Sequence, residues 1–103
     1  MFFFDKTPSV SGETLLNKLK GKPVIIDIRQ ADAFNQGHIP GAKNLSADQA
    51  VQQTFKEGQE VFVVCYAGMS SQSVVKKLNK QGVDAYSVTG GMGAWKGPMK
   101  GGK

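Results

Sequence analysis

One residue in this chain carries a strong nucleophile. Cys65 closes the run Val61-Phe62-Val63-Val64 and is the only cysteine of the 103 residues. Three of those four apolar residues are β-branched, the composition of a strand buried on both faces. A loop of small and uncharged residues follows, Tyr66-Ala67-Gly68-Met69-Ser70-Ser71, and then Gln72-Ser73-Val74-Val75-Lys76-Lys77-Leu78. In that last segment Val74, Val75 and Leu78 form one apolar face, with Lys76, Lys77 and Lys80 on the other, as in an amphipathic helix. Ser70 and Ser71 are the expected N-cap residues of this helix, which runs to Gln81 and stops at Gly82. The sulfur is thus expected where a parallel strand hands over to a helix, the carboxyl edge at which α/β sheets hold their ligands. Inward-pointing backbone N–H groups and the positive end of the helix favour a thiolate there, below the ordinary thiol pKa of about 8.5. The competing reading is a buried cysteine packed as a small hydrophobe, and the strand–Cys–loop–helix context favours reactivity over it.

Three other residues have side chains suited to chemistry. Asp27 and Arg29 sit in the apolar run Val24-Ile25-Ile26-Asp27-Ile28-Arg29, a second buried strand. A carboxylate inside such a run needs hydrogen-bond donors or a cation, so both residues read as structural, with Arg29 at the carboxyl edge of the strand. His38 is the one histidine. Without a carboxylate orienter or a second ligand at a telling spacing, it reads as a turn-tying hydrogen-bonding residue in preference to a general base.

The rest of the chain positions these groups. Phe2-Phe3-Phe4 is expected to be a short strand and residues 7–12 a turn. Ser11 caps a helix to Lys20 with Leu15, Leu16 and Leu19 facing inward. Asp32-Ala33-Phe34-Asn35-Gln36 forms a helical turn closed by Gly37 in a left-handed cap, and Pro40-Gly41 marks a tight turn before a short strand, Lys43-Asn44-Leu45. Ser46 and Gln49 have capping-box spacing, opening a helix to about Lys56 with Ala47, Ala50, Val51 and Phe55 inward. Ala85-Tyr86-Ser87-Val88 is the fifth strand, followed by Thr89-Gly90-Gly91 and a short helix, residues 92–96, whose Trp95 is expected to anchor it in the core. Strands alternating with helices give right-handed crossovers. The expected fold is therefore an α/β domain, a parallel five-stranded sheet flanked by helices on both faces. Residues 1–103 are read as one domain, with 98–103 a flexible tail.

Composition narrows the function. Hydrophobic residues make up 40% of the chain, enough for a core, and the apolar runs are strand-length, so no membrane span is expected. Met1-Phe2-Phe3-Phe4 is too short for the apolar region of a signal peptide, and one cysteine excludes an internal disulfide and a Cys/His metal cluster. These features point to the reducing cytoplasm. The net charge of +5 is spread along the chain without interleaved aromatics, which reads as solvated surface and not as a nucleic-acid patch.

Three pieces of the chain together resemble rhodanese domains. The strand ending Asp27-Ile28-Arg29 with Asp32 to Ala42 resembles their first signature, Cys65 with Tyr66 to Ser71 their active-site loop, and Val88-Thr89-Gly90-Gly91 through Trp95 their closing segment. The chain is similar to the small single-domain members. The resemblance implies a sulfurtransferase of the thiosulfate sulfurtransferase type. Cys65 would attack the outer sulfur of a donor, hold it as a persulfide and pass it on in ping-pong fashion. It implies substrate contacts from Tyr66, Ala67, Gly68, Met69, Ser70 and Ser71, no metal and no organic cofactor. The implied partners are thiosulfate or a persulfide donor and a thiol or cyanide-like acceptor, a sulfur-relay protein included, with no nucleic acid and no membrane. Many family members carry arginine where this chain has Ser70, which puts tight thiosulfate binding in question. Phosphatases of similar fold need arginine at the position of Ser71, and serine cannot form that bidentate clamp. A catalytically quiet binding or regulatory module on the same fold and a thiol redox sensor are the alternatives. The retained cysteine argues against the first. The lack of a resolving cysteine means the second needs an outside thiol.

Overall fold

The computed structural model describes residues 7–102, so the expected strand at Phe2-Phe3-Phe4 lies outside the described residues. Five parallel strands are ordered β1-β5-β4-β2-β3, with β1 Ser9–Val10, β2 Val24–Asp27, β3 Lys43–Asn44, β4 Glu60–Val64 and β5 Asp84–Val88. The α-helices are α1 Gly12–Lys18, α2 Ala31–Gln36, α3 Ala47–Val51 and α4 Ser70–Lys80. The expected sheet class holds. Its first edge strand does not: Ser9 and Val10 pair with Ser87 and Val88, within the segment expected to be a turn.

Alternation along the central strands builds two cores. On one face Ile25, Phe62, Val64 and Val88 pack with Leu15 of α1, Met92 and Trp95. On the other, Ile26, Val61, Val63 and Ala85 pack with Ala50 of α3 and with Val74, Val75 and Leu78 of α4. The period-2 pattern therefore explains why β4 reads as uninterrupted apolar sequence: neither of its faces meets water. Leu16, by contrast, is exposed, so only part of the expected α1 stripe faces inward.

Several boundaries shift for local reasons. Ser11 caps α1 through the Thr14 N–H as expected, but the helix tightens into a 3-10 turn at Leu19–Gly21. The reciprocal Ser46–Gln49 capping box is present, yet α3 ends at Val51, five residues before Lys56. Phe55 reaches the core from the non-helical stretch that follows, while Ala47 is exposed. Gly37 is not left-handed; its φ of 168° is extended. It leads directly into a two-way backbone pairing of His38 with Lys100. Lys100 is thereby tied to His38, and the Gly102 N–H donates to the Asn35 carbonyl. The final helix is a single 3-10 turn, Gly91–Ala94, since Trp95 is already extended.

Candidate active site

Cys65 follows the last residue of β4 and is 5% exposed, at the carboxyl edge shared by β2, β4 and β5. Gly68 makes the loop possible. Its φ of +90° suits glycine, and a Cβ there would lie 2.8 Å from the Gly90 nitrogen. The chain curls back so that the Gly68 N–H donates to Cys65 Sγ at 3.0 Å and the Ser71 N–H at 3.4 Å. The Ser71 hydroxyl lies 3.4 Å from the same sulfur. Burial alone would push the thiol pKa up. The Ser71 hydroxyl and the backbone N–H groups of Ser71, Gly68 and Ser70 outweigh it and hold the pKa below that of an ordinary thiol. The net effect favours a thiolate.

The other side of the loop is clamped. Met92 N–H donates to the Cys65 carbonyl and Gly93 N–H to the Tyr66 carbonyl, each at 2.8 Å. With these carbonyls turned towards the Gly91–Ala94 turn, the N–H groups farther along the loop are free to face the sulfur. Gly91 lies against the same carbonyls at a φ of +54°, where any Cβ would collide with them.

Ser70 and Ser71 correct the capping expectation. The N-cap of α4 is Met69, with no side-chain cap bond, and the two serines are the first residues of the helix. The Ser71 hydroxyl serves Cys65 and Ser87 instead. Ser70 and Tyr66 line a shallow cleft of about 440 Å³ with Cys65, Arg29, Ile28 and Ala33. Ala67 and Met69 line a separate hollow, of about 480 Å³, together with Gly68, Gln72 and Ser87. Tyr66 and Met69 are 69% and 74% exposed, giving the loop an apolar rim. A larger hollow of about 850 Å³ lies elsewhere, among Lys18, Lys22, Lys56, Glu57, Glu60 and Asp84, and includes none of the loop residues.

Asp27 and Arg29 form a forked ion pair under the cleft. Arg29 Nη2 is 2.7 Å from Asp27 Oδ2, Nε reaches both carboxylate oxygens at 3.0 and 3.1 Å, and the Arg29 N–H donates to Oδ1. Nη2 also donates to the Gly37 carbonyl at 2.7 Å. Arg29 therefore lines the cleft with its charge already matched. His38 is buried, stacked on Phe34 at 3.8 Å between ring centres, and its Nδ1 donates to the Phe34 carbonyl. It is not among the residues lining the cleft.

Sequence reasoning missed two contributors. Asn44 ties the carboxyl end of β2 together through the Asp27 and Arg29 carbonyls. Ser87, fully buried on β5, places its hydroxyl 2.7 Å from that of Ser71. The available signal for Ser87 was a hydroxyl two residues after Ala85, on the strand face that alternation turns towards the core. Its register partner, Val63, stands two residues before Cys65.

Comparison with known proteins adds to this geometry. The sequence pattern of the Rhodanese-like domain matches residues 11–98. Thiosulfate sulfurtransferase GlpE of Shewanella oneidensis is 39% identical over 90 residues, 84% of this chain and 89% of that protein. Its namesake from Pseudoalteromonas translucida is 47% identical over 75 residues, 70% of this chain and 71% of that protein. The crystal structure of a rhodanese-like domain protein from Staphylococcus aureus superposes with a TM-score of 0.81 at 34% identity, covering 93% of this chain and 99% of the other. A rhodanese-related protein from Thermoplasma volcanium, 20% identical, shares the fold at a TM-score of 0.81, covering 90% of this chain and 97% of the other. The chain belongs to the rhodanese-like domain family.

Proposed function

We propose that this sulfurtransferase carries sulfane sulfur on Cys65. The observation that supports the reading is the cradle around the sulfur, in which Gly68 and Ser71 donate to a thiol whose pKa is lowered. In the first half-reaction the Cys65 thiolate attacks the outer sulfur of the donor. The donor's sulfur–sulfur bond breaks and its electron pair leaves with sulfite, if the donor is thiosulfate, or with a thiolate, if it is a persulfide. The terminal sulfur of the resulting Cys65 persulfide carries the negative charge. The same N–H groups that hold the thiolate are placed to stabilise that anion. In the second half-reaction a thiolate or cyanide attacks the terminal sulfur, forms its own bond to it and returns the Cys65 thiolate.

Loop residues Tyr66, Ala67, Gly68, Met69, Ser70 and Ser71 are the substrate-contacting set in this reading, with Arg29 at the edge and Asp27 and His38 as its supports. Thiosulfate is the substrate in the relatives' names. Here the one arginine among the cleft residues is matched by Asp27, which favours donors that do not depend on a cation. A persulfide donor meets that condition. A reducing compartment that keeps a lone thiol free is part of the same proposal; among the described residues no helix is long and apolar enough to cross a membrane.

The test is intact mass after incubation with thiosulfate or with a persulfide donor. The wild type gains one sulfur atom that cyanide or dithiothreitol removes, and Cys65→Ser gains none while keeping its fold. Turnover by Cys65→Ser would overturn the mechanism.

A further inference from the structure

The Ser71 hydroxyl faces two partners and has one proton. Its oxygen is 3.4 Å from Cys65 Sγ and 2.7 Å from Ser87 Oγ, and both serines are buried. A hydroxyl is a rotor, so the Ser71 proton can point either way. With a thiolate at Cys65, the arrangement that uses every proton runs in one direction: Ser87 donates to Ser71, and Ser71 donates to the sulfur. With a neutral thiol it reverses, the S–H donating to Ser71 and Ser71 to Ser87. The thiolate form of the chain gains more, because a hydrogen bond to an ionised acceptor is about twice as strong and its neighbour polarises it further.

We propose that Ser87 is a positioning residue for the sulfur chemistry, its buried hydroxyl donating to Ser71 Oγ and so turning the Ser71 proton onto the Cys65 sulfur. Ser87 acts through Ser71: the N–H groups around Cys65 Sγ are those of Gly68, Ser70 and Ser71, and the hydroxyl beside it is that of Ser71. Its position follows from the sheet. β5 lies beside β4, Ser87 is in register with Val63, and the Ser87 N–H is held by the Pro8 carbonyl at 2.9 Å. The hydroxyl therefore comes from a rigid strand on the far side of the loop. The inference rests on Cys65 working as a thiolate.

The experiment is the pH dependence of iodoacetamide alkylation, which reads one thiol because the chain has one cysteine. It is measured for wild type, Ser87→Ala, Ser71→Ala and the double variant, with circular dichroism as the check on folding. Ser71→Ala is expected to slow alkylation at pH 7 about tenfold and Ser87→Ala about threefold, each with its titration moved to higher pH. In the Ser71→Ala background the second substitution is expected to change nothing. An unchanged titration in Ser87→Ala, or the same threefold loss in both backgrounds, overturns the proposal. Should Ser87→Ala fold poorly, Ser87→Thr carries the test: it keeps a hydroxyl and titrates like wild type, whereas a titration displaced as far as that of Ser71→Ala overturns the idea. The readout needs no sulfur donor. A protein whose four titrations follow this pattern but which takes up no sulfur refutes the transfer reaction and supports the role of Ser87.

Discussion

Removing either partner of the Asp27–Arg29 pair should destabilise the protein, and not equally. The Asp27 side chain is 1% exposed and that of Arg29 is 11% exposed. Arg29→Ala leaves a buried carboxylate with the residue-29 N–H as its remaining donor among those described. Asp27→Ala leaves a guanidinium that still donates to the Gly37 carbonyl, on a side chain that keeps some exposure to water. Orphaning one member of a buried pair costs about 3–5 kcal/mol. We expect Arg29→Ala near the top of that range and Asp27→Ala near or below the bottom. Total stability for such a domain is about 5–15 kcal/mol, so Arg29→Ala removes about a third of it or more. With a urea slope of about 1–1.5 kcal/mol per M for a small domain, the midpoint falls by about 3–5 M for Arg29→Ala and about 2–3 M or less for Asp27→Ala. The double variant should be more stable than Arg29→Ala alone, because removing the carboxylate also removes the stranded charge. Urea melts of the three variants, followed by Trp95 fluorescence, provide the assay. The reasoning fails if Asp27→Ala costs more than Arg29→Ala, or if the double variant is the least stable.

Two other outcomes follow from the loop. Gly91→Ala meets the Cys65 and Tyr66 carbonyls and an unfavourable positive φ together, so it should destabilise by about 2–4 kcal/mol and lower the thiolate reactivity of whatever folds; a urea melt and an alkylation rate equal to wild type would contradict this. The rate of sulfur uptake should rise with pH along a titration whose midpoint lies below that of an ordinary thiol, because the thiolate reacts and its pKa is lowered. Stability carries the same sign. The folded chain releases the Cys65 proton at lower pH than the unfolded chain, so wild type gains on Cys65→Ser as pH rises from the folded value towards 9.0, keeps the gain above it, and loses it on acidification; denaturant melts of both proteins across that window check it.

The parts of this molecule legible in the sequence are those whose causes are local. The valine-rich strand, the cysteine at its end, the Gly68 curve and the amphipathic α4 lie within twenty consecutive residues, and the Ser46–Gln49 box spans four. Asp27 and Arg29 were legible as structural residues, though not as each other's partner, because an apolar strand cannot hold a bare carboxylate. What escaped depends on distant partners. Ser9–Val10 is a strand because β5 offers it an edge, and nothing within Thr7-Pro8-Ser9-Val10-Ser11-Gly12 announces that. Gly37 is extended because Lys100 lies opposite His38, sixty-two residues on. The serines at the head of α4 match the capping preference in type, but the third dimension gives Ser71 to a sulfur and to a strand hydroxyl.

The strand order has a consequence for when the thiol becomes reactive. β5 is the last strand in the chain, yet it enters the sheet between β4 and β1, so the first strand can dock only after the last has arrived. Ser87 and the Met92 and Gly93 N–H clamp arrive with that insertion. Until then Cys65 stands at the end of a strand without its full set of donors, and reacts more like an ordinary thiol. Joining such distant segments is the slow step expected of a parallel sheet. Full reactivity of this cysteine is therefore expected late in folding, and rapid alkylation at neutral pH would mark a chain that has closed.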